Sequence, residues 1–250
     1  MLVILAVFLI VMLFIFGRKS IREEKKKAVI IVGDSTVFEY SDLKWHNITY
    51  KTTLQNLSWK KYHVYSNNKS IGSYYLWHDD RWYAFDDKKN AVDIEGDLFA
   101  YSSNYNFKVV DFNTSDVDDL EFVNYVLESN DIGLSSNFTS LYKIDLDFDN
   151  DSNVETFYLI SNAFASDFNP EKTFSIAFMV KNKTIYYIYK DIMNNKGLSG
   201  CKPYYNSFID IDEDNVLEFV LSCSKFSVSD QLDMLYHFNG DNFEIIISNK

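Results

Sequence analysis

Two short segments of the chain concentrate carboxylate side chains at alternating positions. The stretches 147–155 and 210–218 each place acids at positions 1, 3, 5 and 9. Calcium is a hard cation that binds six to eight oxygen atoms, so alternating carboxylates with a backbone carbonyl at position 7 suit it. The spacing therefore predicts two structural calcium loops. The predicted side-chain ligands are Asp147, Asp149, Asp151, Glu155, Asp210, Asp212, Asp214 and Glu218.

Other interpretations of these acids stay open at this point. In the first segment a second register begins at Asp145 and continues through Asp147 and Asp149. Acidic turns between strands can also be solvated without any metal, although four carboxylates in nine residues repel one another unless a counterion is present. Neither segment is an EF-hand, because the twelfth residues are Tyr158 and Leu221 and not glutamate.

The two segments resemble the calcium loops of FG-GAP and VCBS-type β-propeller repeats, in which Asp-x-Asp-x-Asp-Gly-x-x-Asp leads into a strand. The resemblance covers the loops and the strands that follow them, and it implies that the acids bind a structural ion. Ser152 and Asn215 replace the glycine of the motif, and the Phe-Gly and Gly-Ala-Pro elements of the family are absent.

Each acidic segment begins a longer unit that occurs twice in the C-terminal half. The unit contains the acidic loop, an apolar strand, a spacer and a hairpin, with hairpin turns at 181–183 and 239–241. Asn239-Gly240 is a strong signal for a tight hairpin turn. The copies are offset by 63 residues, about the size of one four-stranded propeller blade. Residues 133–250 are therefore predicted to form two propeller-like repeats, and the same plan in the first half would give about four units.

The first half predicts an antiparallel β meander. Short apolar and aromatic runs alternate with turn clusters between residues 29 and 132. One helix is predicted near 115–129, with Ser115 as its N-cap. Its expected apolar face contains Val117, Leu120, Val123 and Leu127. The fold class is accordingly all-β, with one short helix besides an N-terminal transmembrane helix.

The N-terminus predicts a membrane anchor. Residues 1–17 are apolar throughout, and residues 18–28 form a basic juxtamembrane linker. Basic residues after the span favour a cytoplasmic domain by the positive-inside rule. The short span without leading lysines, and acidic loops suited to a calcium-rich compartment, favour an extracytoplasmic domain instead. We adopt the extracytoplasmic orientation as the expectation.

The charge distribution restricts the class of partner. The chain has a net charge of −12, and residues 18–27 contribute +4, which leaves −16 for the remainder. Such a surface repels phosphate backbones, so nucleic acid is not an expected partner. Cations, basic proteins and neutral glycans fit better. Cys201 and Cys223 can form a disulfide or remain two buried thiols.

The sequence contains no motif for nucleophilic, phosphate-binding or zinc-dependent catalysis. Its histidines share no ligand spacing, and an isolated strand histidine is more often a surface or core residue than a catalyst; these are His46, His63, His78 and His237. We therefore expect a membrane-anchored, cell-surface β protein that binds calcium and a protein or glycan partner. The alternatives are an extracellular hydrolase that uses surface carboxylates and a cytoplasmic, membrane-tethered scaffold without metal.

Overall fold

The computed structural model describes residues 28–41, 44–48, 51–133, 138–163, 172–193, 201–225 and 231–249. In this part of the chain the strands form three antiparallel sheets, and two short helices accompany them. The predicted all-β fold is therefore confirmed. The predicted anchor at 1–17 and the linker up to residue 27 lie outside the described residues. Neither described helix has the length and apolar character needed to cross a bilayer.

Sheet I is built from residues 28–102 and has eight strands. They are β1 (Ala28–Val32), β2 (Thr36–Ser41), β3 (Lys44–Asn47), β4 (Lys60–Ser66), β5 (Lys69–His78), β6 (Trp82–Phe85), β7 (Ala91–Val92) and β8 (Leu98–Ser102). Their order across the sheet is β3-β2-β1-β8-β4-β5-β6-β7. The expectation that the first half repeats the four-stranded unit is wrong, because β1 and β4 both pair with β8 and join the strands into one sheet.

Sheets II and III share one plan. Each is a four-stranded meander with an extra edge strand from residues 108–116 that pairs with the first strand of the meander. In sheet II the order is β10 (Ser115–Asp116), β11 (Ser140–Leu146), β12 (Glu155–Ser161), β13 (Thr173–Lys181) and β14 (Thr184–Met193). In sheet III it is β9 (Lys108–Val110), β15 (Cys201–Asp210), β16 (Glu218–Lys225), β17 (Leu232–Phe238) and β18 (Phe243–Ser248).

The sheets stack in layers, with sheet III between sheets I and II. Strand β1 is buried on both faces, which explains its uninterrupted apolar run. Ile30 packs towards Ile209 and Val220 of sheet III. Ile31 points to the opposite side of sheet I, where it belongs to an apolar cluster that includes Leu54. Leu54 belongs to helix α1 (Lys51–Leu57), which the sequence analysis did not predict.

The other face of sheet III packs against sheet II through a core rich in phenylalanine. Phe157 of β12 contacts Phe208 of β15 and Phe219 of β16, with ring centroids 5.0 and 5.8 Å apart. The outer face of sheet II is covered by helix α2 (Leu120–Glu128). Both acidic segments therefore lie at the ends of strands that bury large aromatic side chains, so their backbones start from rigid supports.

Helix α2 is shorter than predicted. Ser115 lies in the edge strand β10, and the N-cap is Asp119, whose carboxylate accepts a hydrogen bond of 2.9 Å from the Phe122 amide. Leu120 is 53% exposed and does not belong to the packed face. The prediction placed the N-cap too early because Ser115 pairs in a sheet edge, a long-range contact that no local pattern encodes.

The two hairpin turns predicted in the C-terminal half are confirmed. The turn after Lys181 places Asn182 and Lys183 at φ 51° and 66°, and Gly240 in the second hairpin has φ 97°. Of the two alternatives left open for Cys201 and Cys223, the structure has the disulfide, which joins the neighbouring strands β15 and β16 with the Cα atoms 5.4 Å apart. The disulfide joins the two strands that enclose the second acidic segment.

Candidate metal centre

The two acidic segments, named loop A (residues 147–155) and loop B (residues 210–218), adopt the same backbone conformation. Asn150 and Ser152 have left-handed φ values of 55° and 69° in loop A, and Glu213 and Asn215 have 65° and 72° in loop B. These pairs are again 63 residues apart. Position 6 therefore keeps the left-handed conformation that glycine provides most easily, although a serine or an asparagine occupies it.

The hydrogen bonds inside the two loops are equivalent as well. In each loop the first aspartate accepts from the amide at position 6, the third aspartate from the amide at position 7, and the glutamate from the amide at position 2. The lengths are 3.2, 2.8 and 2.9 Å in both copies. The repeat predicted from the sequence therefore extends to individual atoms of the loops, and the carboxylates are oriented by backbone donors.

Loop A has a cation supplied by the protein. One ligand atom from each of Asp147, Asp149 and Glu155 lies within 4.8 Å of the others. The ammonium of Lys181 forms an ion pair with Asp149 and lies 3.3 Å from Asp151 Oδ2 and 3.4 Å from Glu155 Oε1. Lys181 therefore places one compensating positive charge among the carboxylates of loop A.

The pKa shifts in loop A follow from this arrangement. Burial raises the pKa of Glu155, while the Phe148 amide and the Lys181 charge act in the opposite direction. Burial disfavours the charge on Lys181, but its hydrogen bond to Asp149 and the charge of Glu155 outweigh burial and raise the pKa of Lys181. The lysine therefore stays protonated at neutral pH.

Loop B holds a similar group of carboxylates without a lysine. One oxygen from each of Asp210, Asp212 and Asp214 lies within 4.8 Å of the others. Among the described residues, no lysine or arginine forms an ion pair with these side chains or with Glu218. Asp210 is only 5% exposed, and its Oδ1 atom is buried without a hydrogen-bond partner. A buried carboxylate oxygen without a donor is costly, and a bound cation would satisfy it.

A histidine takes the place of the lysine in loop B. Thr156 pairs with Val180, and Phe219 pairs with Tyr236, so the strand registers place Lys181 opposite Glu155 and His237 opposite Glu218. His237 Nδ1 lies 2.9 Å from Glu218 Oε1. His237 shares no ligand spacing in the sequence, because only the pairing of β16 with β17 brings it to an acid 19 residues away.

Two acids of loop B have raised pKa values. Burial raises the pKa of Glu218 to about 7, although hydrogen bonds from His237 and the Ile211 amide act in the opposite direction. Burial and the neighbouring charge of Asp214 raise the pKa of Asp212. Both shifts have the sign expected for carboxylates that repel one another at the edge of an apolar core.

The predicted ligands do not all share one focus. Asp145, the start of the alternative register, accepts a hydrogen bond of 2.7 Å from Thr156 Oγ1 on the exposed surface of β11. Asp151 lies beside Lys181 at the rim of loop A. Glu218 lies outside the loop B group given above and contacts His237. The other six predicted acids fall into the two groups, namely Asp147, Asp149 and Glu155 in loop A and Asp210, Asp212 and Asp214 in loop B.

The two loops are in direct contact. The Leu217 amide of loop B donates a 3.0 Å hydrogen bond to the Phe148 carbonyl of loop A. The Phe148 ring is fully buried and packs against rings of both sheets, namely Phe157, Phe219, Phe238 and Phe243. Phe148 therefore connects the two loops, through its carbonyl to loop B and through its ring to the apolar core between the sheets.

No family model, curated protein or solved structure matches this chain. The class of protein is accordingly defined by the fold and the site alone. It is an all-β chain of stacked antiparallel sheets, in which two equivalent acidic loops lie at the starts of strands β12 and β16.

Proposed function

We propose that this chain is a membrane-anchored, cell-surface β-repeat binding protein in which loop B holds a structural calcium ion. The observation that carries the calcium proposal is the buried, unpartnered Oδ1 atom of Asp210 beside Asp212 and Asp214. Calcium binds carboxylate oxygens in flexible geometry, and this loop brings three of them within 4.8 Å of one another. Loop A supports the same interpretation, because an equivalent set of carboxylates there surrounds an ammonium group.

The role proposed for the ion is to stabilise the fold. Loop B joins β15 to β16, so a cation bound to it would connect the end of one strand to the start of the next. The hydrogen bond between Leu217 and Phe148 would extend this support to loop A. A ligand that binds only the folded state stabilises it by about 2.7 kcal/mol when its concentration is a hundred times its dissociation constant.

We further propose that sheets II and III are propeller-like repeats related to the FG-GAP type. Their identical strand order, their face-to-face packing and the position of an acidic loop before the second meander strand support this proposal. The missing Phe-Gly and Gly-Ala-Pro elements are compatible with a divergent copy in which the loop conformation is kept by Ser152 and Asn215.

The proposed partner is a glycan. A cleft of about 680 Å³ lies between the tip of the β4–β5 hairpin and the segments 93–95 and 112–114. Hydroxyl, amide and charged side chains dominate its lining, and such groups can hydrogen-bond to sugar hydroxyls. The polar lining residues are Ser66, Asn67, Asn68, Lys69, Asp93, Glu95, Asn113 and Thr114. Ile71 and Phe112 complete the lining, so the cleft offers apolar contact besides its hydrogen-bonding groups.

The calcium proposal is tested by melting the full chain in detergent, first with a chelator and then with calcium. We expect calcium to raise the midpoint by about 5–10 °C at saturation, from the stabilisation above and the usual sensitivity of a chain of this size. Asp210→Asn should abolish this increase. Asp241→Asn, which changes an exposed acid in a hairpin turn of the same sheet, should retain it. An unchanged midpoint in the wild-type protein would refute the proposal.

The membrane proposal has its own test. Protease added outside intact cells should digest residues 28–250 if the β domain is on the cell surface. Protection of the domain in intact cells, followed by digestion after lysis, would instead support the cytoplasmic scaffold.

Glycan-array binding by the full chain in detergent, with Asn67→Ala and Asp93→Ala as cleft variants, tests the proposed partner class. Binding that is unaffected by both substitutions would exclude the cleft.

A further inference from the structure

Loop B contains a second group of potential metal ligands besides its three aspartates. One atom from each of Asp212, Glu218 and His237 lies within 4.8 Å of the others. Glu218 is 1% exposed, and its Oε2 atom is held by the Ile211 amide, so its Oε1 atom stays directed towards His237. The His237 side chain is 29% exposed, so an ion from solvent can reach these three ligands.

The ligand types in this second group differ from those of a calcium site. Calcium prefers oxygen ligands, whereas imidazole nitrogen combined with carboxylates suits divalent transition metals such as zinc and manganese. The equivalent position in loop A is Lys181, whose ammonium supplies charge but has no free electron pair for a metal. The two copies therefore differ at the one strand position that decides which kind of cation the loop accepts.

We propose that loop B contains a divalent transition-metal position bound by Asp212, Glu218 and His237, adjacent to the calcium position and sharing Asp212 with it. Two observations besides the cluster point to a cation here. Asp210, which neighbours the shared ligand, has a buried oxygen without a partner. In loop A the corresponding side chain places a positive charge within 3.4 Å of the equivalent glutamate.

The inference rests on the proposed function only in that loop B binds a divalent cation. Nitrogen ligation changes the chemical class of the cation, since a carboxylate–imidazole site binds zinc-like ions more tightly than calcium. The bond to His237 would replace its present hydrogen bond to Glu218. An ion at this position would connect β16 to β17, whereas the ligands of the calcium position lie at the end of β15 and in the loop that follows it.

The test is a cobalt titration of the full chain in detergent, after removal of metals with a chelator and in the presence of saturating calcium. Cobalt is a spectroscopic substitute for zinc, because its visible absorption reports the coordination geometry of the bound ion. We expect binding of one cobalt ion per chain that zinc displaces. His237→Gln should weaken cobalt binding at least about tenfold, as loss of metal-site groups usually does. The calcium-induced rise of the melting midpoint should remain in this variant.

His63→Gln is the matched control. His63 is also a strand histidine with a polar partner, since its Nδ1 atom lies 2.8 Å from Ser73 Oγ, but it belongs to none of the potential metal-ligand groups among the described residues. We expect this variant to bind cobalt as the wild-type protein does. Equal cobalt affinity in the His237→Gln and wild-type proteins, or no saturable binding in either, would overturn the proposal. Either result can occur with an intact calcium response, so failure of this proposal is distinguishable from failure of the proposed function.

Discussion

Replacing Lys181 tests whether the acidic loops depend on a cation. Lys181→Met keeps most of the side-chain volume but removes the ammonium from Asp149, Asp151 and Glu155. Glu155 is the critical partner, because its side chain is only 1% exposed and cannot turn to solvent. The substitution therefore leaves a buried carboxylate beside other acids with no compensating charge.

The size of the effect can be bounded from the structure. Removal of one partner from a fully buried ion pair costs about 3–5 kcal/mol, whereas exposed pairs contribute about 0–1 kcal/mol. The Lys181 side chain is 15% exposed, so we expect a loss of about 2–3 kcal/mol. The loss of folding free energy has an upper limit, because the folded protein can protonate Glu155. Protonating a carboxyl of ordinary pKa at pH 7 costs about 3.7 kcal/mol. The corresponding fall in the melting midpoint is about 5–10 °C.

The assay is urea and thermal unfolding of the full chain in detergent with a chelator present. Lys143→Met is the matched control, since its ammonium pairs at 3.1 Å with an Asp118 side chain that is 85% exposed. This control should leave the unfolding midpoint close to that of the wild-type protein. Adding Glu155→Gln to Lys181→Met should recover much of the lost stability, because the amide needs no counterion and still accepts the Phe148 hydrogen bond.

Calcium gives a second measurement on the same variant. With Lys181 replaced, the three clustered carboxylates of loop A should accept an additional calcium ion, detectable by titration calorimetry, and calcium should restore stability. A Lys181→Met protein as stable as the wild type in chelator would refute the reasoning. The same conclusion would follow if Glu155→Gln failed to improve the stability of the lysine variant.

Two further predictions concern the packing of the sheets. Phe148→Ala should lower the free energy of unfolding by about 3–5 kcal/mol in urea denaturation, because the buried ring contacts both sheets, whereas Tyr125→Ala on the exposed face of α2 should change it little. Asp233 is fully buried, and burial raises its pKa, although hydrogen bonds from Ser222 and Thr36 act in the opposite direction. The folded state therefore binds this proton more tightly than the unfolded state, and the stabilisation present at acid pH is lost as pH rises through the folded-state pKa. Unfolding midpoints between about pH 4 and pH 7 should consequently fall more in the wild-type protein than in Asp233→Asn, and parallel pH profiles would contradict this assignment.

The contacts of Asp233 also show which kind of interaction escapes sequence reasoning. Its carboxylate accepts hydrogen bonds from Thr36 of sheet I and from Ser222 of sheet III, residues 197 and 11 positions away. No periodicity or motif marks these three side chains as partners. They meet because sheets I and III pack face to face, and that packing depends on the shapes of many apolar side chains together.

The sequence alone determined the features that depend on neighbouring residues. Alternating apolar residues predicted the strands, Asn239-Gly240 predicted a hairpin, and the 63-residue repeat predicted that loops A and B would be alike. These features are readable because side-chain direction in a strand and the conformation of a turn are set within a few residues.

Only the tertiary structure decided what lies opposite each glutamate. Lys181 lies 26 residues after Glu155, and His237 lies 19 residues after Glu218. Each pair meets only because the two strands that carry it are neighbours in a sheet. The same applies to the edge strands β9 and β10. They come from the first half of the chain but pair with β15 of sheet III and β11 of sheet II. Long-range pairing is selected by the burial of whole sheet faces, so it brings together residues that no local pattern connects.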